Sequence, residues 1–248
     1  MLVRVEGIVI RALDYGEGDK ILSVFTRQAG KLSVMARGAK KIKSRYTAAA
    51  QLFTYGEYTF FRTHSMGTLR NAEIQHSYHK LREQLHTAAY AAYLAELTER
   101  LTGEGEPDEY LFEQLKAALD AVEQEKDPQI VVLIYELKMI AAAGYMPSLS
   151  ECVSCGSAEG NMSFSPGMGG ILCHRCKSRD NAAILLSEGA LKLLRLFQRL
   201  DMRRLGKIEV KPVTKEQMRQ CIRQYIDTHI DIKWKSRHFI DQMEKHGL

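Results

Sequence analysis

The first part of the chain alternates between apolar and polar positions, as β-strands with one buried face do. The alternating stretches cover residues 3–13, 20–27, 31–37, 52–62 and 68–74. Glycine-containing turns separate most of them, including one from His64 to Gly67, and a long loop separates the third from the fourth. This pattern predicts a five-stranded OB-fold barrel over residues 1–77, a fold that commonly binds oligonucleotides. The alternation alone also fits an SH3-like barrel.

From Tyr78 the apolar period lengthens to three or four residues, which indicates helices. One helix is predicted from Tyr78 to about Gly103, and a second begins at Pro107. A third covers residues 129–143, because Asp127 followed by Pro128 supplies an N-cap carboxylate and a proline at the first helical position.

Two further helices follow a segment at about 150–180. The first begins at Ser187, and Thr214 with Gln217 predicts a capping box for the last long helix, whose apolar stripe ends at Ile230. The fold class is therefore α+β and multidomain: the barrel, then an all-α domain over 78–248 that carries the inserted segment.

The inserted segment contains two CxxC pairs, with seventeen residues between the second cysteine of one pair and the first of the next. The four residues are Cys152, Cys155, Cys173 and Cys176. This spacing is typical of a tetrathiolate site, so we expect a zinc ribbon with one structural Zn²⁺. Two disulfides are the rival interpretation, but they would leave Cys221 over and the sequence shows no secretory signal.

Length and composition are ordinary for a globular protein: 248 residues, 45% hydrophobic and 26% charged. No apolar run approaches the length of a membrane span, and charge interrupts the N-terminal segment too early for a signal peptide. We therefore expect a cytoplasmic protein with no membrane partner.

Charge is unevenly distributed along the chain. Residues 1–80 carry 13 Lys/Arg and 6 Asp/Glu, residues 81–150 carry 5 and 13, and residues 151–248 carry 17 and 11. Two basic blocks around an acidic one indicate that the outer blocks meet a polyanion.

The densest basic cluster lies in the long loop of the predicted barrel. It comprises Arg37, Lys40, Lys41, Lys43 and Arg45, followed by Tyr46. Cations with an adjacent aromatic suit phosphate contacts and base stacking, and Arg11 and Lys31 could extend the surface. A merely solvated loop is the alternative interpretation.

Motifs for catalysis are not evident. The sequence contains no P-loop, no dinucleotide fingerprint and no recognisable nucleophile with its base. We therefore predict a binding protein rather than an enzyme. The alternatives are a metal-dependent enzyme that processes nucleic acid and uses the ribbon as an accessory, and a zinc-ribbon transcription or translation factor.

Taken in order, several segments of the chain resemble the bacterial RecO family of recombination mediators. They are Val5-Glu6-Gly7-Ile8-Val9-Ile10, Gly38-Ala39-Lys40-Lys41 with Ser44-Arg45-Tyr46, Gly144-Tyr145-Met146-Pro147 before the first CxxC pair, and Lys235-Ser236-Arg237-His238-Phe239. The resemblance covers essentially the whole length.

This resemblance implies a function in RecF-pathway repair in the bacterial nucleoid. Such a protein would bind single- and double-stranded DNA and anneal complementary strands. It would act with RecR and with the C-terminal tail of the single-strand-binding protein, and would indirectly assist RecA loading. Some family members lack the four cysteines, so zinc would not be needed for the shared activity.

Overall fold

The first five strands of the chain close into a barrel. The computed structural model describes residues 1–62 and 66–247, so His64 and Ser65 of the predicted turn lie outside the described residues. The strands are β1 (Leu2–Tyr15), β2 (Asp19–Thr26), β3 (Gly30–Ala36), β4 (Tyr55–Arg62) and β5 (Gly67–His76). Their order is β1-β2-β3-β5-β4, with β4 returning to β1 and only β3 and β5 parallel among the neighbouring pairs of these strands. The OB-fold prediction is confirmed, and the SH3-like alternative is set aside.

Alternate residues of the barrel strands are buried, as the alternating sequence pattern predicted. In β3 every second residue is buried, from Gly30 through Leu32 and Val34 to Ala36. The fourth strand begins at Tyr55, later than the predicted residue 52. Phe53 explains the difference, because its φ of 70° is left-handed backbone that an extended strand does not adopt.

The helices follow the barrel along the chain. They are α1 (Lys80–Glu83), α2 (Leu85–Leu101), α3 (Glu109–Glu123), α4 (Pro128–Ala142), α5 (Glu188–Arg199), α6 (Pro212–His229) and α7 (Lys235–Lys245). The single helix predicted from Tyr78 to Gly103 is thus two, because extended backbone at Gln84 separates α1 from α2. The helix α7 was not predicted.

The chain forms two compact units. The first comprises residues 1–126 and 234–248, and the second residues 127–233. The barrel, α1–α3 and α7 therefore belong to the first unit. The domain boundary expected at residues 77/78 remains a prediction.

The second unit contains α4–α6 and a small sheet of strands β6 (Met162–Ser165), β7 (Gly170–Cys173) and β8 (Ile184–Leu185). Its first helix begins as predicted: Asp127 Oδ1 accepts the backbone N–H groups of Gln129 and Ile130 at 3.1 and 3.4 Å. Pro128 occupies the first turn. The body of α4 is buried from Ile130 to Ile140, so this helix forms the centre of the unit.

The predicted capping box at Thr214 and Gln217 is wrong. The helix α6 begins at Pro212, two residues before Thr214, and the fixed φ of proline suits a first helical position. The Gln217 side chain instead accepts hydrogen bonds from the backbone N–H and the hydroxyl of Ser187, and donates one to the Leu185 carbonyl oxygen. The glutamine therefore joins α6 to the start of α5.

Candidate nucleic-acid interface and metal centre

The basic loop, residues 37–46, lies against the turn between β1 and β2. The backbone N–H of Lys40 donates to the Gly18 carbonyl oxygen at 3.0 Å, and the Gly38 N–H donates to Asp19 Oδ1 at 2.7 Å. Gly38 makes this approach with a φ of 70°, which suits glycine. In OB folds the loop between the first two strands commonly contacts the ligand, so the basic loop lies beside an established binding region of the fold.

Most of the loop cations are presented to solvent. Arg37, Lys41 and Lys43 are exposed and form no ion pair with any residue in the ranges 1–62 and 66–247. Lys40 pairs with Asp14 of β1 at 3.0 Å. The Arg45 guanidinium lies 4.8 Å from the centroid of the Tyr46 ring and donates to the Arg70 carbonyl oxygen of β5. The sequence-predicted cations therefore share one ordered loop.

Tyr46 does not lie on this surface. Its side chain is part of the hydrophobic core of the barrel and only 9% of the residue is exposed. Its hydroxyl donates to the Arg70 carbonyl oxygen at 2.8 Å. Because one ring face is covered by Arg45 and the ring is buried, the stacking role predicted for Tyr46 does not fit this position, and we correct it to a structural role.

The two cations expected to extend the surface are engaged elsewhere in the fold. The Lys31 ammonium donates to the carbonyl oxygens of Glu99 and Thr102 at 2.5 and 2.8 Å, which satisfies carbonyls at the end of α2. Arg11 donates to the Glu99 carboxylate at 3.5 Å while remaining half exposed. Lys31 is therefore committed to the fold, and only Arg11 keeps room for a phosphate.

Several exposed residues near the loop were missed by sequence reasoning. Tyr15, at the β1 end of the turn that the loop contacts, is 55% exposed, and Ile42 within the loop is 100% exposed. Arg70 is exposed on β5 beside Arg45 and Tyr46. Only Tyr15 had a sequence signal, since it directly precedes the glycine-rich turn.

The four cysteines come together at one end of the small sheet. Their sulfur atoms all lie within 4.8 Å of one another, and the Cys155 and Cys173 sulfurs are 3.7 Å apart. A tetrahedral ion with bonds of about 2.3 Å to sulfur requires sulfur separations of about 3.8 Å. The prediction that these residues form one cluster is confirmed, and the set fits one tetrahedral metal ion.

Tight turns shape the two halves of this metal centre. The Gly156 N–H donates to the Cys152 carbonyl oxygen at 2.8 Å, and the Cys176 N–H donates to that of Cys173 at 2.9 Å. Gly156 has a φ of 74°, as such a turn requires. The strand pairing of β6 with β7 places Cys173 opposite Met162 and so fixes the second half.

Electrostatics at the metal centre favour a bound cation. Burial alone would raise the pKa of Cys152, but backbone N–H groups, led by that of Cys173, lower it to about 6. The Ser157 backbone lowers the pKa of Cys155, yet the three neighbouring thiols raise it to about 11. Four thiolates this close repel one another, so their joint deprotonation needs a metal ion. In contrast, burial raises the pKa of Cys221 to about 12, which fits an inert thiol.

Comparison with known proteins covers both parts of the chain. Residues 1–78 match the family model for the Recombination protein O N terminal, and residues 82–238 match that for the Recombination protein O C terminal. Among the described residues, no helix has the length and hydrophobicity needed to cross a bilayer.

Curated relatives match over the full length. The protein of Halalkalibacterium halodurans named DNA repair protein RecO is 44% identical over 248 residues, which is 100% of this chain and 98% of that protein. Proteins of the same name are 43% identical in Bacillus pumilus, over 98% of this chain and 95% of that protein, and 42% identical in Listeria monocytogenes, over 97% and 94%.

Proposed function

Because the chain belongs to the RecO family of DNA repair proteins, we propose that it is a recombination mediator that binds single- and double-stranded DNA through its basic loop. The observation that carries this proposal is the ordered presentation of Arg37, Lys41 and Lys43 beside the β1–β2 turn of an OB fold. Neighbouring Lys40 and Arg45 add two charges to the same loop. A polyanion that tracks this loop would meet five cations.

Annealing follows from this charge. Two complementary strands repel each other through their phosphates, and a surface that neutralises those phosphates lowers the repulsion without any covalent change. The protein would therefore act by binding and not by catalysis. The contacts go to the DNA backbone, so we expect little sequence preference.

The metal centre serves a structural role in this proposal. Zinc is the ion that the four thiolates suit best, since it accepts tetrahedral sulfur coordination and a closed four-cysteine site leaves no open position for a substrate. Cys152, Cys155, Cys173 and Cys176 would hold the ion and so fix the β6–β7 hairpin. Bound zinc would supply folding free energy to the second unit.

Protein partners would complete the pathway at the bacterial nucleoid. We propose that RecR and the single-strand-binding protein act with this chain, and that their joint action assists RecA loading. A pocket of about 580 Å³ in the second unit combines apolar Met146 and Pro147 with exposed Arg199, while Arg195 on its wall also donates to the Leu149 and Ser150 carbonyl oxygens. This combination suits the acidic, apolar C-terminal tail of the single-strand-binding protein.

The salt dependence of DNA affinity tests the central proposal. Five phosphate contacts predict a slope of log K against log salt of about −3.5 on single strands. Replacing Lys40, Lys41 and Lys43 together by Ala should flatten that slope by about two. The comparison variant replaces Lys192, Lys207 and Lys233, which are also exposed but lie in the second basic block, and it should flatten the slope by less. An equal effect of both triple variants would contradict a DNA site at the basic loop.

A second measurement separates mediator from enzyme. A labelled strand is incubated with the protein and Mg²⁺, with and without its complement. Annealing with the strand intact supports the proposal, whereas turnover of the strand would support the alternative of a nucleic-acid-processing enzyme.

A further inference from the structure

Ile42 is a large aliphatic side chain held entirely in water. It is 100% exposed, more than any other large hydrophobic residue in the described part of the chain. A single exposed apolar residue is ordinary on protein surfaces. The setting of Ile42 is unusual, because this residue lies in a turn of the basic loop directly between Lys41 and Lys43.

The turn that carries Ile42 is closed by hydrogen bonds. The Ser44 N–H donates to the Lys41 carbonyl oxygen at 2.9 Å, and the Lys41 N–H donates to that of Gly38 at 3.0 Å. The Thr47 hydroxyl donates to the Ala39 and Lys41 carbonyl oxygens at 3.0 and 3.3 Å. The backbone on both sides of Ile42 is therefore ordered before any ligand arrives, and little further entropy is lost when the side chain is covered.

Charge around Ile42 identifies what would cover it. Lys41 and Lys43 are exposed cations immediately before and after it, and Arg37 and Arg45 lie in the same loop. A protein partner would need an apolar surface far larger than one side chain. A nucleic acid needs only a gap between two bases, and it brings the phosphates that the flanking lysines would contact.

We propose that Ile42 is a wedge that inserts between adjacent bases of a bound strand while Lys41 and Lys43 contact the flanking phosphates. This inference rests on the proposed function and deepens it. An aliphatic wedge unstacks bases without selecting among them, because it makes no hydrogen bond to a base edge. Unstacked bases are free to meet a complementary strand, so the wedge would promote pairing as well as binding.

The test uses the full chain and oligonucleotides that carry 2-aminopurine, whose fluorescence rises when the base unstacks. Wild-type protein should raise the emission of a bound strand. Ile42→Ser should lose at least half of that rise and weaken binding by about threefold to tenfold. Because no charge is removed, its salt slope should equal that of the wild type. The matched control is Val213→Ser, which removes another exposed aliphatic, 79% exposed, and should change neither quantity.

The outcomes distinguish failure of the Ile42 wedge from failure of the DNA-binding proposal on which it rests. An unchanged fluorescence rise and affinity for Ile42→Ser would overturn the wedge, while a normal salt slope would leave the DNA-binding proposal intact. Salt-independent binding in the wild type would overturn both. If Ile42→Ser instead weakens binding of an acidic peptide with apolar side chains and leaves DNA binding unchanged, the residue belongs to a protein interface and the wedge is wrong.

Discussion

Ser236 and Glu96 lie 140 residues apart in sequence, yet the Ser236 backbone N–H donates to the Glu96 carboxylate at 2.8 Å. The Lys235 N–H donates to the other oxygen of the same carboxylate at 3.0 Å. The first N–H groups of a helix have no partner within the helix, and a negative charge there also favours the helix dipole. Glu96 of α2 thus caps α7 from outside.

Glu96→Ala should therefore loosen α7 and lower the free energy of unfolding by about 0.5–2 kcal/mol. Urea unfolding measures the loss, and amide hydrogen exchange should accelerate first at residues 235–238. Glu209→Ala is the matched control, since Glu209 is 84% exposed and pairs with exposed Lys207. It should stay within about 0.5 kcal/mol of the wild type. The cap assignment fails if the two variants behave alike.

Gly30 should not tolerate alanine. Its φ is 66°, and a Cβ there would lie 2.3 Å from the Glu106 carbonyl oxygen. Strain and overlap together should cost about 3 kcal/mol or more in unfolding free energy. Gly16→Ala separates the two effects, because Gly16 has a φ of 55° with nothing within 4 Å and should cost only about 1–2 kcal/mol. Equal losses in a denaturant titration would contradict the close approach of Gly30 to Glu106.

Tyr46 should act on stability rather than on DNA. Tyr46→Ala removes a buried ring and should cost about 3 kcal/mol. Tyr46→Phe keeps the ring, loses the hydrogen bond to the Arg70 carbonyl oxygen and should cost about 1 kcal/mol. Thermal unfolding of both variants checks the two losses of stability, and DNA titration of Tyr46→Ala below its unfolding transition checks that the ring does not stack on a base. A loss of DNA affinity of about tenfold or more in folded Tyr46→Ala would restore the stacking role.

Removal of the metal should affect the second unit selectively. Cys173→Ser should reduce bound zinc, measured by elemental analysis, from about one ion per chain to near zero, because a tetrahedral site loses affinity steeply with a missing thiolate. Amide exchange should then accelerate across β6 and β7. Cys221→Ala tests specificity, since Cys221 lies outside the cluster and should keep the zinc. Full zinc binding by Cys173→Ser would exclude the four-cysteine site.

Acid should weaken the ion pair between Glu6 of β1 and Arg27, which follows β2. Arg27 donates to the carboxylates of Glu6 at 2.7 Å, Glu109 at 2.8 Å and Glu113. Burial alone would raise the pKa of Glu6, but the hydrogen bonds from Arg27 and Tyr55 lower it below its usual range. A lowered folded pKa means that the stabilisation is present at neutral pH and is lost as pH falls through that value.

Glu6→Gln should therefore destabilise the protein at about pH 7 by about 1–2 kcal/mol, and the difference from wild type should shrink below about pH 4. Urea titrations across this range measure it. Glu209→Gln, a change at an exposed carboxylate, serves as the control. If the difference in unfolding free energy between Glu6→Gln and wild type stays constant with pH, the charge of Glu6 does not contribute to stability.

Local signals explain which features the sequence could predict. Alternation in the barrel strands, the two CxxC pairs and Asp127 before Pro128 each act within a few residues, and each is present in the structure. The helix α7 could not be predicted in this way, because its cap comes from Glu96, far away in sequence. Thr214 and Gln217 illustrate the converse case. The sequence pattern of a capping box is present there, but α6 already begins at Pro212, so these residues lie inside the helix.

The candidate nucleic-acid interface shows the same difference between local and long-range features. The run of cations in the basic loop is visible in the sequence, whereas burial of Tyr46 depends on its bond to the carbonyl oxygen of Arg70, on another strand. Lys31 likewise meets the end of α2, about seventy residues on. The charged residues can be counted from the sequence, but long-range contacts decide which of their side chains are bonded within the fold and which stay available to a ligand.

The return of α7 to the first compact unit has a consequence for biosynthesis. A ribosome releases the barrel and α1–α3 first, then all of residues 127–233, and only afterwards the segment 234–248 that packs on α2. Until then Tyr93 lacks its neighbour Trp234, and Tyr90 lacks Glu244. Apolar surface of the unit made first thus stays uncovered through most of translation, which exposes nascent chains to aggregation. A premature stop after Lys233 would consequently damage the unit that was synthesised first.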